Sequence, residues 1–141
     1  METKERTVLT VKSTINAPVS KVWESWTKPE HITKWCAASD DWHTPRAEND
    51  LTEGGRFLSR MEAKDCSIGF DFGGVYDVVK KNDYIEYTID DNRKVKIKFT
   101  PDGDKTIVSE SFEAEETNPI EMQQGGWQAI LDNFKKYTES L

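Results

Sequence analysis

The stretch from Gly54 to Ala114 constrains this chain more than any other. Its apolar residues recur with period two, and turn residues cut it at short intervals. Lys94-Val95-Lys96-Ile97-Lys98-Phe99 is the clearest segment, with lysines on one side and apolar side chains on the other. Phe57, Ser59 and Met61 alternate with Arg56, Leu58 and Arg60. Phe70 and Phe72 flank Asp71, and Tyr76 and Val78 continue that run beyond Gly73-Gly74, where a bulge or bend is expected. Ile85, Tyr87 and Ile89 form the next inward set, and Ile107 to Glu113 the last strand. Lys81-Asn82-Asp83, Asp90-Asp91-Asn92 and Asp102-Gly103-Asp104 read as the turns between them. Consecutive strands on short turns make an antiparallel meander.

Such a sheet has one apolar face to bury, and little else in the chain can cover it. Thr7 to Ile15 reads as one more half-buried strand. Pro18 then opens a short helix with Val19, Val22, Trp23 and Trp26 at helical spacing. Pro29 opens a second, which turns Ile32 and Trp35 inward. At the other end, Asn118 is a candidate cap, with Pro119 at the first helical position and Glu121 returning a bond. Trp127, Ile130, Leu131, Phe134 and Leu141 make one apolar stripe along this long helix. Gly125-Gly126 within it costs about 1 kcal/mol per glycine relative to alanine, which points to close backbone approach or room for a cavity. The expected fold class is α+β: a curved antiparallel sheet wrapped on one long helix, in a single domain spanning residues 1–141.

Charge narrows the partners. The net charge of −7 disfavours phosphate backbones and anionic membrane faces, so neither nucleic acid binding nor membrane insertion is expected. No apolar run has the length of a membrane helix, and the polar start Met1-Glu2-Thr3-Lys4-Glu5-Arg6 has no export signal. Cys36 and Cys66 show no C-x-x-C spacing and are expected as reduced thiols of a cytoplasmic protein. The chain is expected to be a monomer.

One short stretch concentrates chemistry. Ala38-Ser39-Asp40-Asp41-Trp42-His43-Thr44-Pro45 holds two acids, an indole and one of only two histidines. A metal site would want more ligands than one His and two adjacent Asp, and His31 lies on a helix among lysines, so no metal and no cofactor are expected. An acid–base pair of His43 with Asp41 or Asp40 needs an extended segment to bring them to one side. No nucleophile motif accompanies it. The other readings are a loop in which the acids hold backbone N–H groups while Trp42 seals the core, and the lip of a binding cavity. Glu110 shares parity with Val108 and Phe112, so it points inward with them. A buried carboxyl then needs a partner, for which Arg56, Arg60 and His43 are candidates, or must keep its proton. The catalytic candidates are therefore His43, Asp41 and Glu110.

Blocks spread along the chain resemble one family. "INAPVSKVWESWTKPEHITKWC", "GGRFLSRMEAKD", "FDFGGVYDVV" and "GGWQAILDNFKKY" are similar to segments of the activator of heat-shock protein 90 ATPase homologue (AHSA-type) branch of the START-like, or SRPBCC (Bet v-like), superfamily. "ASDDWHTPRAENDL" is similar to a block of one bacterial subgroup of that branch. The resemblance covers about residues 8 to 140 and implies the helix-grip fold, with a hydrophobic cavity between the sheet and the long helix. It implies binding of a lipid, sterol-like, polyketide-like or other apolar or amphipathic molecule, with a place in stress response. A heat-shock protein 90-type chaperone is the alternative partner. Small cyclases and dehydratases occur in the superfamily, which keeps an enzyme using His43 and an acid as a third reading. The residues expected at the ligand are Trp35, Trp42, His43, Phe57, Ser59, Met61, Phe70, Phe72, Tyr76, Tyr87, Phe99, Glu110, Met122, Trp127 and Phe134. Ser59 stands where the resemblance leads one to expect a larger aromatic, which widens the cavity.

Overall fold

A computed structural model describes residues 7–37, 40–115 and 118–141. Of the residues singled out above, Ala38, Ser39 and the terminal segment Met1 to Arg6 lie outside the described residues. The strands are β1 Val8–Ile15, β2 Trp42–Asn49, β3 Arg56–Ala63, β4 Gly69–Lys80, β5 Tyr84–Ile89, β6 Lys94–Asp102 and β7 Lys105–Glu113. The helices are α1 Val19–Thr27 and α2 Pro29–Trp35, between β1 and β2, and the terminal α3 Ile120–Glu139. All seven strands join one antiparallel sheet in the order β1-β7-β6-β5-β4-β3-β2. The meander therefore runs from β2 to β7, and β1 closes the far edge beside β7. Together α1 and α2 carry the chain across the concave side from one edge to the other. This is the helix-grip fold.

Local chemistry accounts for the turns. Asn82, Asn92 and Gly103 adopt positive φ at the three expected turns, a region that asparagine and glycine tolerate best. The glycine pair in β4 works differently from the expected bulge. Gly74 and Gly73 pair in register with Phe57 and Leu58, and the register shift falls at Asp77, between Tyr76 and Val78. A Cβ on Gly74 would sit 2.3 Å from the Thr88 carbonyl oxygen, and one on Gly73 2.9 Å from that of Phe57. Close approach of neighbouring strands is what these positions require.

Three local expectations are corrected. The segment around Trp42 is a strand, β2, rather than a self-contained loop, because Trp42 and His43 pair with Ala63 and Glu62 of β3. Pro119 occupies the cap position of α3, and the Asn118 side chain donates to the Glu115 carboxylate instead of capping the helix. Leu141 lies beyond α3 and is exposed, so the apolar stripe ends earlier.

The core is filled at one end only. The C-terminal half of α3 lays Leu131, Phe134 and Thr138, all fully buried, against the sheet and the early helices. Phe134 packs against Trp26 and Trp35 at 4.8 and 4.9 Å between ring centres, and Phe99 meets Trp23 at 5.3 Å. Edge-on aromatic packing of this kind adds to the burial term. Thr106 Oγ1, also fully buried, donates to the Ala17 carbonyl at 2.9 Å and anchors the start of the α1 crossover. The N-terminal half of α3 is less closely packed, and a cavity lies beneath it.

Candidate functional site

Between the N-terminal half of α3 and the concave face of β3 to β7 lies a cavity of about 440 Å3. Its roof is Met122, Gln123, Gly126, Trp127 and Ile130 of α3. Its floor is Phe57, Ser59 and Met61 of β3, Phe70, Phe72 and Tyr76 of β4, Tyr87 of β5 and Glu110 of β7. Trp26, Ile32, Trp35, Cys36 and Trp42 close one end. Phe57, Ser59 and Met61 on β3 are alternate residues, as are Phe70 and Phe72 on β4, as the pleat dictates. Nothing lies within 4 Å of where a Cβ on Gly125 or Gly126 would stand, so neither answers to close packing; Gly126 lines the cavity, whereas Gly125 is exposed.

The aromatic lining is ordered. Trp127 stacks on Phe112 with ring centres 4.0 Å apart and planes 8° from parallel, and meets Phe72 edge-on at 6.2 Å. Phe57 contacts Phe72, Tyr76 and Tyr87 at 6.0, 5.2 and 4.7 Å. At the outer edge Phe70, 45% exposed, meets Trp42 at 5.9 Å, and Met122 is 65% exposed. Apolar side chains thus continue from the interior to the rim.

Polar groups are few and unequally satisfied. Tyr76 Oη donates to Asn49 Oδ1 at 2.6 Å, and Asn49 Nδ2 donates to the Thr27 carbonyl at 2.5 Å. Gln123 Nε2 donates to the carbonyls of Glu115 and Asn118 at 3.1 and 2.8 Å, while its Oε1 accepts from the Glu115 amide at 2.8 Å. Arg93 Nε donates to Asp91 Oδ2 at 2.8 Å and Nη1 to the Glu113 carbonyl at 3.5 Å. Glu110 differs from these. It is 5% exposed, and burial alone pushes its carboxyl up to about 8. Among the described residues it has no charged or hydrogen-bonding partner. Burial likewise pushes the Cys36 thiol up to about 11 and holds the Tyr87 hydroxyl well above its usual range.

The structure brings Trp35, Trp42, Phe57, Ser59, Met61, Phe70, Phe72, Tyr76, Tyr87, Glu110, Met122 and Trp127 to one cavity. Three expected residues are elsewhere. Phe99 and Phe134 belong to the filled end of the core, where the early tryptophans cover them. His43 is outside the cavity, since it follows Trp42 on a pleated strand and turns to the opposite side. Its ring Nε2 lies 3.8 Å from Glu62 Oε2, and its side chain is 42% exposed. Asp41 precedes the strand in a turn and is exposed. The suggested partners of Glu110 are all engaged elsewhere: Arg60 with Glu62 and Asp71, Arg56 with Asp90. Both cysteines are free thiols. Among the described residues no three His, Cys, Asp or Glu side chains group to hold a metal ion, and no helix is long and apolar enough to cross a membrane.

Sequence reasoning missed Trp26, Ile32 and Cys36 at the closed end, and Glu48, Arg93, Glu115, Asn118 and Gln123 elsewhere around the cavity. Trp26 and Ile32 were legible as apolar helix positions, but spacing does not say which faces a void. Arg93 and Gln123 carried no signal, since a polar residue beside a turn or near a helix start is ordinary on a surface.

Comparison with known proteins agrees with this geometry. Residues 16–139 match the family model described as Activator of Hsp90 ATPase homolog 1-like protein. The solution structure of a protein from Cytophaga hutchinsonii is 61% identical, with a TM-score of 0.81 over 93% of this chain and 91% of that one. The solution structure of an AHSA1-like protein from Aeromonas hydrophila is 41% identical, with a TM-score of 0.90 over 95% of this chain and 93% of that one. A crystal structure from Chromobacterium violaceum, 21% identical, shares the fold with a TM-score of 0.85 over 94% and 98% of the two chains. A search of curated protein sequences finds no match.

Proposed function

This chain belongs to the Activator of Hsp90 ATPase homolog 1-like family, and on that premise we propose that it binds an apolar or amphipathic small molecule between α3 and the sheet. The observation that carries this reading is the 440 Å3 cavity itself, walled by aromatic side chains and with Gly126 in its roof. A pocket of that volume with a few polar groups is the usual form of a small-molecule site. Aromatic rings such as Phe57, Phe72 and Trp127 supply contact area, and the exposed apolar rim at Phe70 and Met122 gives entry. The protein is read as a cytoplasmic monomer that works without a cofactor.

Native mass spectrometry of the protein purified from cells tests this directly. A discrete added mass, lost on denaturation, is the expected result. A chain that stays bare, and whose melting temperature no member of a lipid and polyketide panel raises, overturns it. The family's description favours a second reading, an interaction module for a chaperone of the Hsp90 class. That reading predicts a changed ATPase rate when the purified chaperone is mixed with this protein. The third reading, acid–base catalysis by His43, finds no support in geometry, because His43 lies outside the cavity.

A further inference from the structure

Two side chains in the cavity set its chemistry. Glu110 on β7 and Tyr87 on β5 lie on the same concave face. Glu110 pairs with Ile97 and Ile97 with Ile85, while Tyr87 pairs with Val95 and Val95 with Phe112. The two residues therefore stand on either side of β6, two positions out of register on one face, and near enough that Glu110 is among the causes that raise the Tyr87 hydroxyl. Tyr87 is 7% exposed and Glu110 5%, and both line the cavity. Tyr76, directly paired with Tyr87, commits its hydroxyl to Asn49. By contrast, neither Tyr87 Oη nor the Glu110 carboxyl has a hydrogen-bond partner among the described residues. Among the described residues the fully enclosed side-chain oxygens without a partner are Asn82 Oδ1 and Thr138 Oγ1, whereas Tyr87 and Glu110 line the cavity, where a ligand can pair them.

Resting on the cavity reading above, we infer that Tyr87 and Glu110 form a pair of O–H donors for one acceptor oxygen on an otherwise apolar ligand, a carbonyl or phenol oxygen. Both groups are protonated where they would donate. Burial disfavours the carboxylate and the phenolate alike. A carboxylic acid kept neutral by an apolar site donates a hydrogen bond as a hydroxyl does. The surrounding rings suit a flat, fused-ring body better than a flexible chain. The charged or titratable groups sharing the cavity are Cys36, Tyr76, Arg93, Glu48 and Glu115. The Tyr76 hydroxyl and Cys36 thiol are shifted upward by burial. On the side of α3 the cavity meets Gln123 and Trp127, which do not titrate.

The test uses fluorene and its ketone, fluorenone, which share one ring skeleton, and the fluorene amine with nitrogen on the bridging carbon. Affinities for the full chain are measured by equilibrium dialysis between about pH 6 and about pH 10, a range that brackets the Glu110 titration. Fluorenone is expected to bind at least about tenfold tighter than fluorene near pH 7, from two added hydrogen bonds. That advantage should decline by up to about tenfold per pH unit above about 8, as Glu110 loses its proton. Glu110→Gln keeps an N–H donor and should keep the ketone preference while removing its decline with pH. Tyr87→Phe should reduce the preference severalfold without changing fluorene affinity. Equal binding of ketone and hydrocarbon overturns the donor pair and leaves the cavity reading standing. Preferred binding of the amine, rising with pH up to about 8, replaces the donor pair with a cation site. Failure of all three compounds to bind overturns the cavity reading for this ligand class and the donor pair with it.

Discussion

Glu110 should leave a signature in stability that needs no ligand. Its carboxyl titrates near 8 in the folded protein and near 4.5 when unfolded, and the cause is burial. The raised folded value fixes the sign. Below about pH 4.5 both states hold the proton and the group contributes its full stability. Between 4.5 and about 8 only the folded state holds it, so stability falls as pH rises; above about 8 the loss is complete. The slope is at most about 1.4 kcal/mol per pH unit, and the whole window amounts to several kcal/mol. That is a large fraction of the 5–15 kcal/mol or so of a typical domain. Glu110→Gln is neutral at every pH and should remove the slope. Any cost of burying its amide does not vary with pH, so the slope rather than the absolute stability is the readout. Urea denaturation at several pH values from about 5 to about 9 measures it. The expected result is a wild-type midpoint that drops relative to the Gln variant as pH rises toward 8. Parallel curves for the two proteins would refute the claim that this carboxyl is buried without a partner.

Two further predictions separate the filled end of the core from the open one. Gly125→Ala and Gly126→Ala meet no atom within 4 Å, so each should stabilise by about 1 kcal/mol through helix propensity, or roughly 3 °C in melting temperature; a loss measured by thermal denaturation would mean that the helix lies closer to the sheet. Phe134→Ala, at a fully buried site among two tryptophans, should destabilise by about 3–5 kcal/mol, while Met122→Ala on the exposed rim should change urea stability by less than about 0.5 kcal/mol.

Much of the fold was legible, for identifiable physical reasons. The alternation in Lys94 to Phe99 and the turn residues Asn82, Asn92 and Gly103 fix strand limits through local backbone preference, and the structure follows them. The strand at Trp42 was not legible. Pro45 and its acidic neighbours read as loop chemistry, while the pairing that makes it a strand is non-local, and a register irregularity between His43 and Arg46 breaks the simple alternation. The site divided in the same way. Glu110 was readable because parity places it with Val108 and Phe112. His43 was misjudged because residue type suggested chemistry and only strand pairing reveals its side. Phe99 and Phe134 are apolar and inward but were expected at the ligand, and they pack in the filled core instead; whether an inward residue meets a neighbour or a void depends on which early tryptophan lies above it, and no period in the sequence encodes that.

The features that survive this sorting share one property: each opposes stability locally. Gly125 and Gly126 weaken a helix that alanine would strengthen, with no close contact to justify them. Glu110 places an acid without a partner where an apolar residue would bury freely. Ser59 puts a small hydroxyl side chain, buried, on the cavity floor where an apolar residue would fill more of the space. A domain that needed only a plugged sheet could remove all four penalties by simple substitutions, and the other half of the same helix, with Leu131 and Phe134 packed tightly, shows what the plugged arrangement looks like. Three of the penalties, at Gly126, Glu110 and Ser59, fall on opposite walls of one cavity, and Gly125 is exposed beside it. Local rules broken together around one space mark it as the place where function rather than stability sets the residues. A ligand that fills the space and receives the Tyr87 and Glu110 hydrogen bonds would relieve the packing and the polar penalties at once.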